Sequence, residues 1–77
     1  MPTQKNGKLK ILYVKDWLEQ SRGEENLLTT AELIARLGCL GIVAERKSIY
    51  DDIRILRLYG LPVRNGRRGK AQGFYVE

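Results

Sequence analysis

Seventy-seven residues, 43% hydrophobic and 30% charged, form one small globular domain near the lower size limit for a core without disulfides or metal. One cysteine, Cys39, excludes an internal disulfide, and the lack of histidine removes most of the usual ligands of a zinc site. The net charge of +5 is uneven: residues 46–70 hold eight cations against two carboxylates while residues 11–45 hold three against six, an asymmetry that suggests a face for a polyanion.

In chain order, "MPTQKNGK" has a proline, a glycine and no apolar periodicity, so a flexible arm is expected over residues 1–8, with Lys5 and Lys8 able to touch a partner. The stretch has no apolar segment or cleavage site of a secretory signal, and no apolar run in the chain approaches a bilayer span. A cytoplasmic protein with no membrane partner is expected. From Leu9 to Gln20 the apolar residues Ile11, Val14 and Leu18, widened by Leu12 and Trp17, mark an amphipathic helix, with Trp17 assigned to the core. "SRGEEN" breaks that pattern and is read as a loop.

Thr29, followed three residues on by Glu32, is a capping-box signal for a second, short helix. Leu33, Ile34, Leu37 and Leu40 share its apolar face, and Gly41 stands where a left-handed cap would end it, although Gly38 offers an earlier stop. Cys39 is read as a small buried side chain.

After the link "GIVA", the segment "ERKSIYDDIRIL" places Ile49, Ile53 and Leu56 in a narrow arc and Lys47, Tyr50, Asp51 and Arg54 on the opposite side. A third helix is expected over about 46–59, closed near Tyr59 and Gly60, and Pro62 turns the chain to extended backbone. Two β-compatible pieces, roughly 61–65 and 72–76, then flank glycines and cations. They read as a hairpin with Gly66 or Gly69 supplying positive φ, its loop longer than a two-residue turn.

Three short helices followed by a hairpin give the expected fold class: mainly α with a small β-hairpin, a three-helix winged helix-turn-helix over residues 9–77. In that plan the third helix enters the major groove of duplex DNA and the wing meets the neighbouring backbone. "GIVAERKSIYDDIRILRLYGLPV" followed by "GRRGKAQGFYV" also resembles the winged helix-turn-helix that opens bacterial WYL-domain transcriptional regulators, related to the type 11 and DeoR-type modules. The resemblance spans about residues 9–77. It rests on Arg46, Lys47, Ser48, Ile49, Tyr50, Asp52, Ile53, Leu56, Gly60 and the "GFY" that follows a glycine-rich turn.

The resemblance implies a DNA-binding module of a transcriptional regulator, with a homodimer possible in a full-length protein. The WYL domain that follows in such regulators is not among these residues. Two positions depart from the family pattern. Glu45 occupies a capping position better served by Asp or Ser, so a looser first turn is expected. Asp51 stands where arginine is usual. It either accepts a hydrogen bond from a cytosine amine or pairs with Lys47 or Arg54 on its own helix.

The candidate DNA-contacting residues are therefore Lys47, Ser48, Tyr50, Asp51 and Arg54 on the groove side of helix three, with Arg46 beside the backbone. Thr29 and Thr30 begin helix two, where backbone N–H groups can meet a phosphate. Arg64, Arg67, Arg68 and Lys70 surround the wing loop. Asp52 is read as structural. No nucleophile–base pair is recognisable, so no enzyme is expected, and neither is a cofactor or a metal. "GRRGKA" lacks the spacing and the following helix of a phosphate-binding loop. The competing reading is a winged helix used for protein contacts or dimerisation, for which Ile55 and Leu58 lie off the core arc.

Overall fold

The computed structural model describes the backbone of residues 2–77 and the side chains of residues 8–77. Helix α1 spans Pro2–Gln20, α2 Thr30–Cys39 and α3 Arg46–Tyr59. The strands are β1 Leu28–Thr29, β2 Val63–Arg68 and β3 Ala71–Val76, with a 3-10 turn at Glu24–Asn26. Among the described residues these elements make the mainly α winged helix-turn-helix, and α3 has the bounds that its periodicity gives.

Helix α1 starts at Pro2 and not at Leu9. A proline is tolerated in a first helical turn because its missing N–H would have no intrahelical partner there. The side chain of Lys5, in the expected arm, lies outside the described residues, and Lys8 is exposed.

Each helix sends one stripe inward. Val14 and Leu18 of α1, Leu33 and Leu37 of α2, and Ile49, Ile53 and Leu56 of α3 form one buried cluster with Phe74 and Val76 of β3. Trp17 packs at its edge, stacked on Tyr13 at 5.7 Å, with the Arg36 guanidinium 5.6 Å above its ring. A polar link crosses this interior. The Lys10 ammonium pairs with the Asp52 carboxylate, tying α1 to α3, and each side chain is only 11% exposed. This is the structural role expected of Asp52. Burial pushes its carboxyl pKa up, Lys10 opposes the shift, and Asp51 adds to it.

Both ends of α2 are closed as its sequence specifies. The Glu32 N–H donates to the Thr29 hydroxyl at 3.1 Å and the Thr29 N–H to the Glu32 carboxylate at 2.9 Å. At the other end Gly41, with φ 80°, lets the N–H groups of Ile42 and Gly41 reach the carbonyls of Leu37 and Gly38. Gly38 stays inside the helix. Two expectations fail here: Cys39 is exposed and Leu40 is 49% exposed. Leu37 fills the last core position. Cys39 is rotated about 200° away from it on a helical wheel, and Leu40 is already outside the helix.

The sheet has the order β1-β3-β2, all antiparallel. Strand β1, two residues paired with Gly73 and Phe74, is too short for any alternation pattern to mark it in the sequence. The hairpin also corrects the expected long loop. Arg68 pairs with Ala71, leaving the two-residue turn Gly69-Lys70, in which only Gly69, φ 63°, is left-handed, as in a type II′ turn. Of the two glycines expected to supply positive φ, Gly69 does so, and Gly66 is a strand residue opposite Gly73. Gly66 and Gly73 make room for Leu27 and Leu28. A Cβ on Gly73 would stand 2.6 Å from the Leu28 carbonyl oxygen, and one on Gly66 would stand 2.8 Å from Leu27.

Candidate nucleic-acid interface

The first turn of α3 is held by Ser48. The Glu45 N–H donates to its hydroxyl at 3.0 Å, and that hydroxyl donates to the Glu45 carbonyl at 2.8 Å. Glu45 starts the helix with no cap hydrogen bond from its own side chain, as its residue type suggests, and Ser48 closes the turn instead. Ser48 has its hydroxyl engaged within the chain and is half-buried on the α1 side. Lys47, Asp51 and Arg54 are exposed on the outer side. No ion pair joins Asp51 to Lys47 or Arg54. A lysine four residues before an aspartate is the poorer orientation for such a pair in a helix.

Tyr50 stands between core and solvent, 37% exposed. Its ring meets Phe74 edge-on at 6.0 Å, and its hydroxyl donates to the Gln72 side-chain oxygen at 3.3 Å. It is held against the wing, at the border of a polar cleft of about 240 Å³. That cleft brings together the start of α2, the start of α3 and the wing: Thr29, Thr30 and Ala31, then Arg46 and Tyr50, then Arg67, Lys70 and Gln72. Among the described residues three cations and no carboxylate line it.

The threonines enter the cleft with their hydroxyls already used. Thr29 caps α2, and the Thr30 hydroxyl donates to the Gln72 carbonyl at 3.3 Å. What this corner can offer a ligand is the first-turn N–H groups of Thr30 and Ala31, since that of Glu32 is taken by the Thr29 hydroxyl. Sequence-nominated residues from three separate segments thus share one concave, basic surface.

The four wing cations divide into two pairs. Arg68 turns inward, donating to the Glu32 carboxylate at 2.8 Å and to the Leu27 carbonyl at 2.6 Å. Glu32 is therefore shared, one oxygen capping α2 and the other holding the wing. The Thr29 N–H first, and then Arg68, draw its pKa below the usual carboxylate range. Arg64 pairs with Glu77 at 3.2 Å near the strand end, an exposed contact of little energetic value. Arg67 and Lys70 face the cleft.

Sequence reading missed one residue of this surface, Gln72, and one that braces it, Arg57. Gln72 sits on the Phe74 face of β3, and two-residue alternation from the buried Phe74 and Val76 carries the signal that finds it. Arg57 donates to the Val63 carbonyl at 2.9 Å and to the Asn65 side chain at 3.0 Å, fixing α3 against β2. Nothing in its spacing indicates that role. Among the described residues no cluster of His, Cys, Asp or Glu could hold a metal, and no helix is long and apolar enough to cross a membrane. Comparisons of the chain with protein-family models, with curated proteins and with solved structures give no match.

Proposed function

We propose that the chain is a DNA-binding domain of a bacterial transcriptional regulator, a non-enzymatic module that docks α3 in the major groove and lays its wing along the adjacent phosphate backbone. The observation that supports this reading best is the carboxylate-free cleft in which Arg46, Arg67 and Lys70 meet the N-terminus of α2. Backbone contacts of that kind fix register, while Lys47, Tyr50 and Arg54, along the same side of α3, approach base edges. The resemblance to WYL-type regulators, carried by the α3 and wing residues, points the same way.

The test is fluorescence-anisotropy titration of duplex DNA with Lys47→Ala and Arg54→Ala. Both residues are exposed and make no ion pair among the described residues, so far-UV circular dichroism and Tm should hold while affinity falls. Unchanged affinity in both variants would show that this side of α3 does not read DNA. A protein-contact role has its own supporting observation in the exposed Ile55, Leu58 and Tyr59, which lie away from the basic cleft.

A further inference from the structure

The exposed side of α1 carries apolar residues where a lone domain would place polar ones. Leu12 is 55% exposed, and beside it on α3 stand Ile55 at 46% and Tyr59 at 76%. Together with the stem of Lys15 they flank an apolar groove of about 350 Å³ between the two helices. Leu9, one turn before Leu12, extends the same surface. Isolated exposed leucines are ordinary, but a contiguous run across two helices marks a contact surface.

The charges around the run say what covers it. Lys8 lies four residues before Leu12 and Asp16 four residues after it, both exposed and neither in any of the ion pairs of the described residues. At 1.5 Å per residue they sit about 6 Å to either side of Leu12 along one helical face. After Leu12 the Lys15 ammonium is taken up by Glu19 at 3.0 Å, so the face is basic before its midpoint, apolar at it and, in net charge, acidic after it. A helix with that order is complementary to itself when reversed.

We propose that this face binds a second copy of the chain across a two-fold axis at Leu12, with the two α1 helices antiparallel. Leu12 then meets its own counterpart, and Lys8 of each copy meets Asp16 of the other, two equivalent pairs from one sequence. A parallel arrangement would set like charges opposite each other and is excluded by the same pattern. Ile55 and Tyr59 widen the apolar centre from the α3 side. Tyr59 follows Tyr50 by nine residues, a rotation of about 180° at 100° per residue, so the dimer leaves the cleft side of α3 open. The proposal does not depend on DNA binding.

Sedimentation equilibrium without DNA tests it, at protein concentrations up to about 500 μM, because a contact below the standard size of roughly 800 Å² per partner need not be tight. The natural sequence should dimerise. Lys8→Glu alone and Asp16→Lys alone should each weaken the dimer about tenfold or more, since each converts both pairs to repulsion. An equimolar mixture of these two variants should recover association as a heterodimer. In it the carboxylate introduced on one chain faces the ammonium introduced on the other, and the unchanged Asp16 of the first faces the unchanged Lys8 of the second. The double variant Lys8→Glu/Asp16→Lys should dimerise like the natural chain. A natural chain that stays monomeric at the highest concentration overturns the proposal. So do single variants that associate normally, or a mixture that does not associate.

Discussion

Replacing Lys10 with methionine isolates the buried ion pair that ties α1 to α3. The substitution keeps an unbranched stem against α3 and removes the ammonium, leaving the Asp52 carboxylate buried among apolar neighbours. Breaking one side of a buried pair costs about 3–5 kcal/mol. Because 11% of each side chain still meets solvent, a loss nearer about 2–3 kcal/mol is expected. For a domain of this size that is a fall in Tm of about 10 °C or more.

The pH dependence follows from the direction of the Asp52 shift. Burial already raises its folded pKa above the unfolded value, and the variant loses the cation that opposed the shift. A carboxyl raised on folding adds stability that is complete below the unfolded pKa, about 3.9, and is lost as pH rises through the folded pKa. The deficit of Lys10→Met relative to the natural chain should therefore shrink on acidification from about pH 7 toward about 4.5. Urea denaturation followed by Trp17 fluorescence at the two pH values measures it. Adding Asp52→Leu to the Lys10→Met background should recover most of the loss, since the buried charge is then gone as well. A Lys10→Met variant within about 0.5 kcal/mol of the natural chain at neutral pH would refute the reasoning. A deficit that grows in acid would do the same.

Two alanine substitutions at glycines should differ in sign. Gly73→Ala pushes a methyl against the Leu28 backbone and should cost roughly 1–3 kcal/mol or more as β1 is forced off β3, whereas Gly38→Ala, in open space within α2, should stabilise by about 0.5–1 kcal/mol; thermal denaturation compares them. Glu32→Gln separates charge from position in DNA binding. Losing a carboxylate should strengthen attraction to DNA, yet it also frees the wing from α2, so weaker binding in an anisotropy titration is expected if the Arg68 contact positions Arg67 and Lys70. Glu32 also sets an acid limit. Its lowered pKa means stability that is present above the unfolded value, about 4.3, and lost as pH falls through the folded pKa, so Glu32→Gln should flatten the acid limb of a Tm-against-pH profile.

The helices were legible because their signals are local. Ile49, Ile53 and Leu56 repeat at helical spacing, Thr29 and Glu32 are three residues apart, and Gly41 and Gly60 mark the ends of α2 and α3. What escaped depends on contacts remote in sequence. Strand β1 exists because Leu28 and Thr29 find β3, and Gly66 and Gly73 are strand residues because Leu27 and Leu28 lie over them. Read locally, Gly66 looks like part of a long loop, whereas Gly73 falls within the expected second strand. The basic block was visible in composition, but its internal division was not. Arg68 is held by Glu32 from 36 residues away while Arg67 faces the cleft, a distinction that neighbouring positions of like charge cannot reveal.

The most direct measurement of the DNA-binding proposal is the salt dependence of affinity for a mixed-sequence duplex, followed by fluorescence anisotropy. With Arg64 and Arg68 engaged within the chain and Lys47 and Arg54 assigned to base edges, Arg46, Arg67 and Lys70 remain to neutralise phosphates. Three such contacts give a slope of log K against log salt of roughly −2.5 to −3. A slope in that range, reduced by about one unit in Lys70→Ala, is the expected result. Absence of binding at low salt, or a complex indifferent to salt, would contradict it.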